Sequence, residues 1–96
     1  MKVFVTAMEC EAESVVRNLA DVEESSVFGR RVVRGTIGGV GTAVVVAGVG
    51  KANAAAGTQL AIGTLGAEAI INVGVAGGLD PDLSVGAVYR AVRAVE

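Results

Sequence analysis

The sequence predicts an α/β domain: a mixed central β-sheet flanked by helices. Three observations carry this expectation. Short apolar runs and helical patterns follow one another in the order strand, helix, hairpin, strand, helix, strand. The strand runs are continuous and Val-rich, as in strands buried on both faces. The composition agrees, with 52% hydrophobic against 19% charged residues and only three aromatics, Phe4, Phe28 and Tyr89.

Lys2–Thr6 (KVFVT) reads as a buried first strand, its β-branched and aromatic residues held in one short run. From Glu9 to Leu19 the period becomes helical, with Ala12, Val15, Val16 and Leu19 on one stripe. Glu9, Glu11 and Glu13 fall in its first turns, where the helix dipole favours acids. Asp21–Ser26 is read as a polar connection. Val27–Arg34 and Thr36–Gly38 are expected to form a hairpin with its turn at Gly38–Gly41. Thr42–Ala47 (TAVVVA) is a buried strand, broken by Gly48–Gly50. Lys51–Leu65 is an Ala-rich helix whose small residues, Ala52, Ala55, Ala56 and Gly57, permit close approach to its own sheet or to another helix. Ala69–Val73 (AIINV) is a further buried strand, ended by the glycine loop Gly74–Gly78. Asp80-Pro81-Asp82 is turn chemistry, and Val85–Val95 is read as a final edge strand. No repeat, low-complexity tract or linker interrupts residues 1–96, so one domain is expected.

The same composition excludes several function classes. The net charge is −2 and the only adjacent basic pair is Arg30-Arg31, so no nucleic-acid partner is expected. One Cys and no His argue against a disulfide framework and a soft-metal site, and fit a cytoplasmic setting. The opening apolar run is too short for a membrane span, and Lys51, Asn53 and Gln59 interrupt the later ones. The apolar excess implies surface covered by a partner subunit or by a further half of the chain.

Two glycine segments bear on ligand binding. GVGKANAAAG is not a P-loop, because Val45 stands where the first glycine belongs and Ala52 where Ser or Thr would meet magnesium. It is not a dinucleotide fingerprint either, because Asn53 replaces the third glycine. Both Gly48–Gly50 and Gly74–Gly78 nonetheless follow the ends of apolar strands, where α/β sheets bind ligands. Taken alone, these glycines serve either as tight turns or as a ligand rim. By themselves the other residues are equally plain. Glu11 reads as a solvent-facing helix-start acid, Cys10 as a small buried hydrophobe, Lys51 as an exposed helix start, and Asp80 and Asp82 as turn formers.

Together, however, AMECEAE after the first strand, AGVGKANAAAG and IINVGVAGGLDPDLSVG resemble the nucleoside phosphorylase/nucleosidase superfamily. Within it, the order and spacing are most similar to the 5′-methylthioadenosine/S-adenosylhomocysteine nucleosidases. The resemblance spans essentially the whole sequence but implies less than half of such an enzyme. The family's later ribose-gripping Met-Glu pair and purine-protonating Asp are absent. It implies that Glu11 is the catalytic base that activates water against the ribosyl C1′. Ala7 and Met8 would line the ribose side, Val49 would lie near the 5′-substituent, and Val75, Ala76 and Gly77 would meet the nucleoside. Val75 departs from the Ser of the familiar nucleosidases, which leaves open a related substrate such as futalosine. Carboxylates in AMECEAE disfavour phosphate as the nucleophile. The resemblance further implies a purine nucleoside as partner, no metal or organic cofactor, and a homodimer. The alternative is a non-catalytic truncated relative that only binds or assembles.

Overall fold

A computed structural model describes residues 1–95. The elements are β1 (Lys2–Thr6), α1 (Glu9–Val16), β2 (Ala20–Val27), β3 (Arg30–Ile37), β4 (Val40–Val46), α2 (Lys51–Gly63) and β5 (Ala69–Asn72). They build one five-stranded mixed sheet of order β2-β3-β4-β1-β5. The strand β1 runs parallel to both neighbours, with Phe4 opposite Val44 on one side and Ile71 on the other. The pairs β2–β3 and β3–β4 are antiparallel hairpins.

Alternation along the central strands divides the core between two faces. Val3, Val5, Ala43, Val45 and Ala47 pack with Leu60, Ala61 and Leu65 around α2. Phe4, Val44 and Val46 pack with Ala12 and Val15 of α1 on the opposite face. The continuous apolar runs of β1 and β4 are explained by this arrangement, since their middle residues face one helix or the other in turn. Close approach of α2 depends on Gly57: a Cβ there would lie 2.5 Å from that of Ala47. The inner small residues of α2 therefore serve its own sheet, while Ala52 and Ala55 face outward.

Several expectations need correction. Asp21–Ser26 is not a connection but the body of β2, an edge strand with every residue from Ala20 to Ser26 exposed. It pairs with β3 through a tight turn at Phe28-Gly29, with φ of +50° and +75°. The expected hairpin turn is present at Gly38-Gly39, with φ of +57° and +79°, and β4 begins at once at Val40. Both are two-residue turns with positive φ at each position, the kind that matches strand twist. Gly35 does not interrupt β3. It lies against the bulge at Ala20–Glu23, where a side chain would meet the Ala20 carbonyl at 2.6 Å. Helix α1 stops at Val16 rather than Leu19, although Leu19 still packs against its face of the core. Helix α2 likewise ends two residues early. Strand β5 is not buried as expected, because it lies at the sheet edge with no buried residue, and it ends at Asn72; the Val73 N–H continues its ladder by donating to the Val5 carbonyl at 3.2 Å. No strand forms over residues 85–95, among the described residues; Val85, Val88 and Val92 stand in solvent with no sheet edge beside them. Cys10 is exposed rather than buried, because it occupies the outer side of α1.

Candidate active site

Strand β1 leaves the sheet into α1 on one face, whereas its neighbour β4 leaves into α2 on the other. At such a switch point the carboxyl ends of two parallel strands part and leave a crevice. A cavity of about 150 Å³ occupies this position, lined by Thr6 and Ala7 of the β1 end, Ala47, Gly48 and Gly50 after β4, and Asn72 of β5.

Glu11 sits beside the crevice, only 7% exposed. It stands in the first turn of α1, where main-chain N–H groups lack helical partners. Its Oε1 accepts hydrogen bonds from the N–H of Ala7 at 2.9 Å and of Met8 at 3.1 Å. Its Oε2 accepts from the N–H of Val75 at 3.1 Å, beyond the far strand β5. A buried acid without such donors would be costly. Here three main-chain dipoles stabilise its negative charge, and the helix N-terminus adds to them. A carboxylate offers about four acceptor positions. Three are taken, and the one left belongs to Oε2.

The neighbouring acids behave differently. Glu9, Glu13 and Glu24 surround Arg31, which donates to Glu9 at 2.6 Å, to Glu13 at 3.4 Å and to Glu24. The Glu24 and Glu9 carboxylates raise the Arg31 pKa above its ordinary value. This exposed network ties α1 to the hairpin and leaves Glu11 out.

The fold, with β1 between two parallel neighbours and a glycine turn closing each of them, can now be set beside known proteins. A family described as the phosphorylase superfamily matches residues 2–96. The chain belongs to the phosphorylase superfamily. Its relatives in the superfamily include a 5′-methylthioadenosine/S-adenosylhomocysteine nucleosidase of Listeria monocytogenes serotype 4b, 39% identical over 90 residues. That match covers 94% of this chain and 39% of the relative. The nucleosidase of Halalkalibacterium halodurans is 40% identical, with 94% and 40% covered. Among superfamily structures, the Streptococcus pneumoniae nucleosidase with the transition-state inhibitor MT-ImmA superposes with a TM-score of 0.84 at 30% identity, covering 90% of this chain and 38% of that one. The Colwellia psychrerythraea nucleosidase in complex with adenine gives 0.83 at 30% identity, with 88% and 35% covered. The chain thus spans about two fifths of the length of the curated relatives it matches.

Within this superfamily fold the expected residues divide into two groups. Ala7, Met8, Glu11 and the Val75 main chain are brought together by hydrogen bonds. Gly48 and Gly50 wall the crevice, while Val49 between them is 69% exposed. The Val75 side chain, Ala76 and Gly77 continue outward in an exposed loop, and nothing lies within 4 Å of where a Gly77 Cβ would stand. Asp80 and Asp82 form the expected turn, the Asp82 N–H donating to the Asp80 carboxylate at 2.9 Å. Sequence reasoning missed Thr6 and Asn72. The Thr6 hydroxyl donates to the Val45 carbonyl at 3.3 Å, and the Asn72 amide to the Val5 carbonyl at 3.3 Å. Each is the polar residue that closes an apolar strand run, which is the signal that marks the rim.

Proposed function

We propose that this chain is the N-terminal part of a single nucleosidase-type domain. The domain hydrolyses the N-glycosidic bond of a purine nucleoside of the 5′-methylthioadenosine/S-adenosylhomocysteine kind. The observation that carries this reading is the Glu11 carboxylate, buried at the switch-point crevice with one acceptor position left on Oε2. A water bound there would be oriented and deprotonated as it attacks the ribosyl C1′. The fixed negative charge would also stabilise the oxocarbenium-like state of glycosidic cleavage. Ala7 and Met8 are assigned to the ribose side, Val49 to the 5′-substituent, and Val75, Ala76 and Gly77 to the nucleoside. No metal or cofactor is required, since carboxylate and water supply the chemistry.

Water is favoured over phosphate by the acids around the site. Arg31, which pairs with Glu9 and Glu13, is already engaged by three carboxylates. The apolar Val75, in place of the Ser of the familiar nucleosidases, leaves a related hydrolase such as a futalosine hydrolase as the second reading. Exposed Ile71, Leu79, Val85 and Val88 support a further half of the domain that covers them and supplies ribose capture and the general acid. The outward face of α2, with Ala52 and Ala55, is assigned to a homodimer, and the setting to the cytoplasm. No helix among the described residues is long and apolar enough to cross a membrane.

As 96 residues the chain is expected to be inactive, because a positioned base alone contributes about 10²–10⁴-fold. The test is adenine release from 5′-methylthioadenosine by this chain and by a longer form of it. Release by the longer form alone is expected. A folded longer form that releases base from no purine nucleoside would reduce the chain to a binding or assembly module.

A further inference from the structure

The crevice wall Gly48–Gly50 is tied to α2 at one end, where the Gly50 carbonyl accepts the Ala54 N–H at 2.9 Å. Gly48 and Gly50 lie at φ of +101° and +102°, a region that L side chains rarely adopt. Gly50 is also the N-cap of α2 and provides no side-chain cap. Two side chains from elsewhere grip the turn instead. Arg30, the first residue of β3, donates from Nε to the Ala47 carbonyl at 3.2 Å and from its terminal nitrogen to Asn53 Oδ1 at 3.2 Å. Asn53, in the first turn of α2, donates in turn from Nδ2 to the Val49 carbonyl at 2.8 Å. The same amide lies flat on the turn, with Nδ2 2.9 Å from where a Gly48 Cβ would stand.

These contacts form a directed relay. The acceptor end of the Asn53 amide faces the guanidinium, so its donor end must face the turn. Arg30 spans two acceptors with one planar fork, which a lysine ammonium cannot do. The grip falls on the carbonyls on either side of Gly48, that of Ala47 at the rim of the core and that of Val49 outside it. We propose that Arg30 and Asn53 are positioning residues that hold the Gly48–Gly50 wall of the crevice. The nucleoside reading enters only in naming what the wall meets, the 5′-side of the sugar.

The test is ¹⁵N relaxation on this chain, with titration of 5′-methylthioadenosine into a longer form of it as a separate arm. In the wild type, Val49 and Gly50 amides are expected near the rigid-backbone order parameter of about 0.85. In Asn53→Ala they fall below about 0.6, while β1 and β4 amides keep their values. Alanine favours a helix more than asparagine does, so fraying of α2 would not produce this result. Asn53→Asp keeps the acceptor for Arg30 but loses the donor to Val49, and loosens the turn equally. Should Asn53→Ala unfold, Asn53→Asp and Arg30→Lys decide by the same readout. A mobile wild-type turn, or a turn that stays rigid in the folded variants, overturns the proposal. A loosened turn in this chain, with no response to the nucleoside in a longer form of it, keeps the clamp and counts against the nucleoside reading alone.

Discussion

The main-chain N–H of Val75 donates to Oε2 of Glu11 at 3.1 Å, across 64 positions of sequence. This bond joins the start of α1 to the segment after β5, so it forms only when β5 has docked beside β1. Its geometry makes the carboxylate a reporter of the finished sheet. Gly74, one residue earlier, lies so close that a Cβ would meet Oε2 at 3.3 Å.

Gly74→Ala should therefore lengthen this bond without unfolding the chain. A hydrogen bond to a charged group is worth about 1.5–3 kcal/mol, and this one is lengthened but not lost, so a stability loss of up to about 1 kcal/mol is expected. Urea denaturation and the Val75 amide chemical shift report it. Wild-type values for both would show that the contact is not close in solution.

Gly57→Ala sets two effects against each other. Alanine gains up to about 1 kcal/mol of helix propensity over glycine. The new Cβ would sit 2.5 Å from that of Ala47, and overpacking of this kind costs about 1–3 kcal/mol. Overpacking should win, with a net loss of roughly 1–2 kcal/mol in urea denaturation. A more stable variant would mean that α2 stands further from the sheet.

Phe28 holds a left-handed φ of +50° in the β2–β3 turn with its side chain 80% exposed. Asparagine tolerates that conformation far better and is preferred before glycine in such turns. Phe28→Asn is expected to stabilise the chain by about 0.5–1 kcal/mol, seen as a raised Tm. A lowered Tm would show that the ring packs more than its exposure indicates.

The pH dependence has one defined contributor. The amino terminus donates to Glu68 at 2.8 Å, and this hydrogen bond, then the charge, holds the Glu68 pKa below the ordinary glutamate value. An acid depressed in this way contributes stability above its unfolded range and loses it as pH falls through the folded value. The pair is exposed, so the contribution is small. Carboxyl NMR should find Glu68 titrating low, and acetylation of the amino terminus should return it to the ordinary range. An unchanged titration after acetylation would mean that the ion pair does not persist.

The central fold was legible because β1 and β4 are apolar runs that bury both faces, and β5 repeats their apolar pattern although it lies exposed at the edge. The edge was not. Strand β2 (ADVEESSV) has no buried residue to set a period, and its turn uses Phe28-Gly29 where Asn-Gly is the familiar signal. Glu11 shows the same division. Its place in a helix start was legible, and so was its match to the family motif. Its burial was not, because that depends on Val75 returning over β5. Arg30 and Asn53 lie 23 residues apart and share no pattern, so their link exists only in the folded chain.

The measurement that bears most directly on the account is turnover and nucleoside binding in Glu11→Gln, made in a longer form that cleaves 5′-methylthioadenosine. The amide keeps the shape but cannot accept a proton from water. Turnover should fall by about 10²–10⁴-fold while nucleoside affinity holds. Turnover within a few-fold of wild type would remove Glu11 from the chemistry and contradict the account.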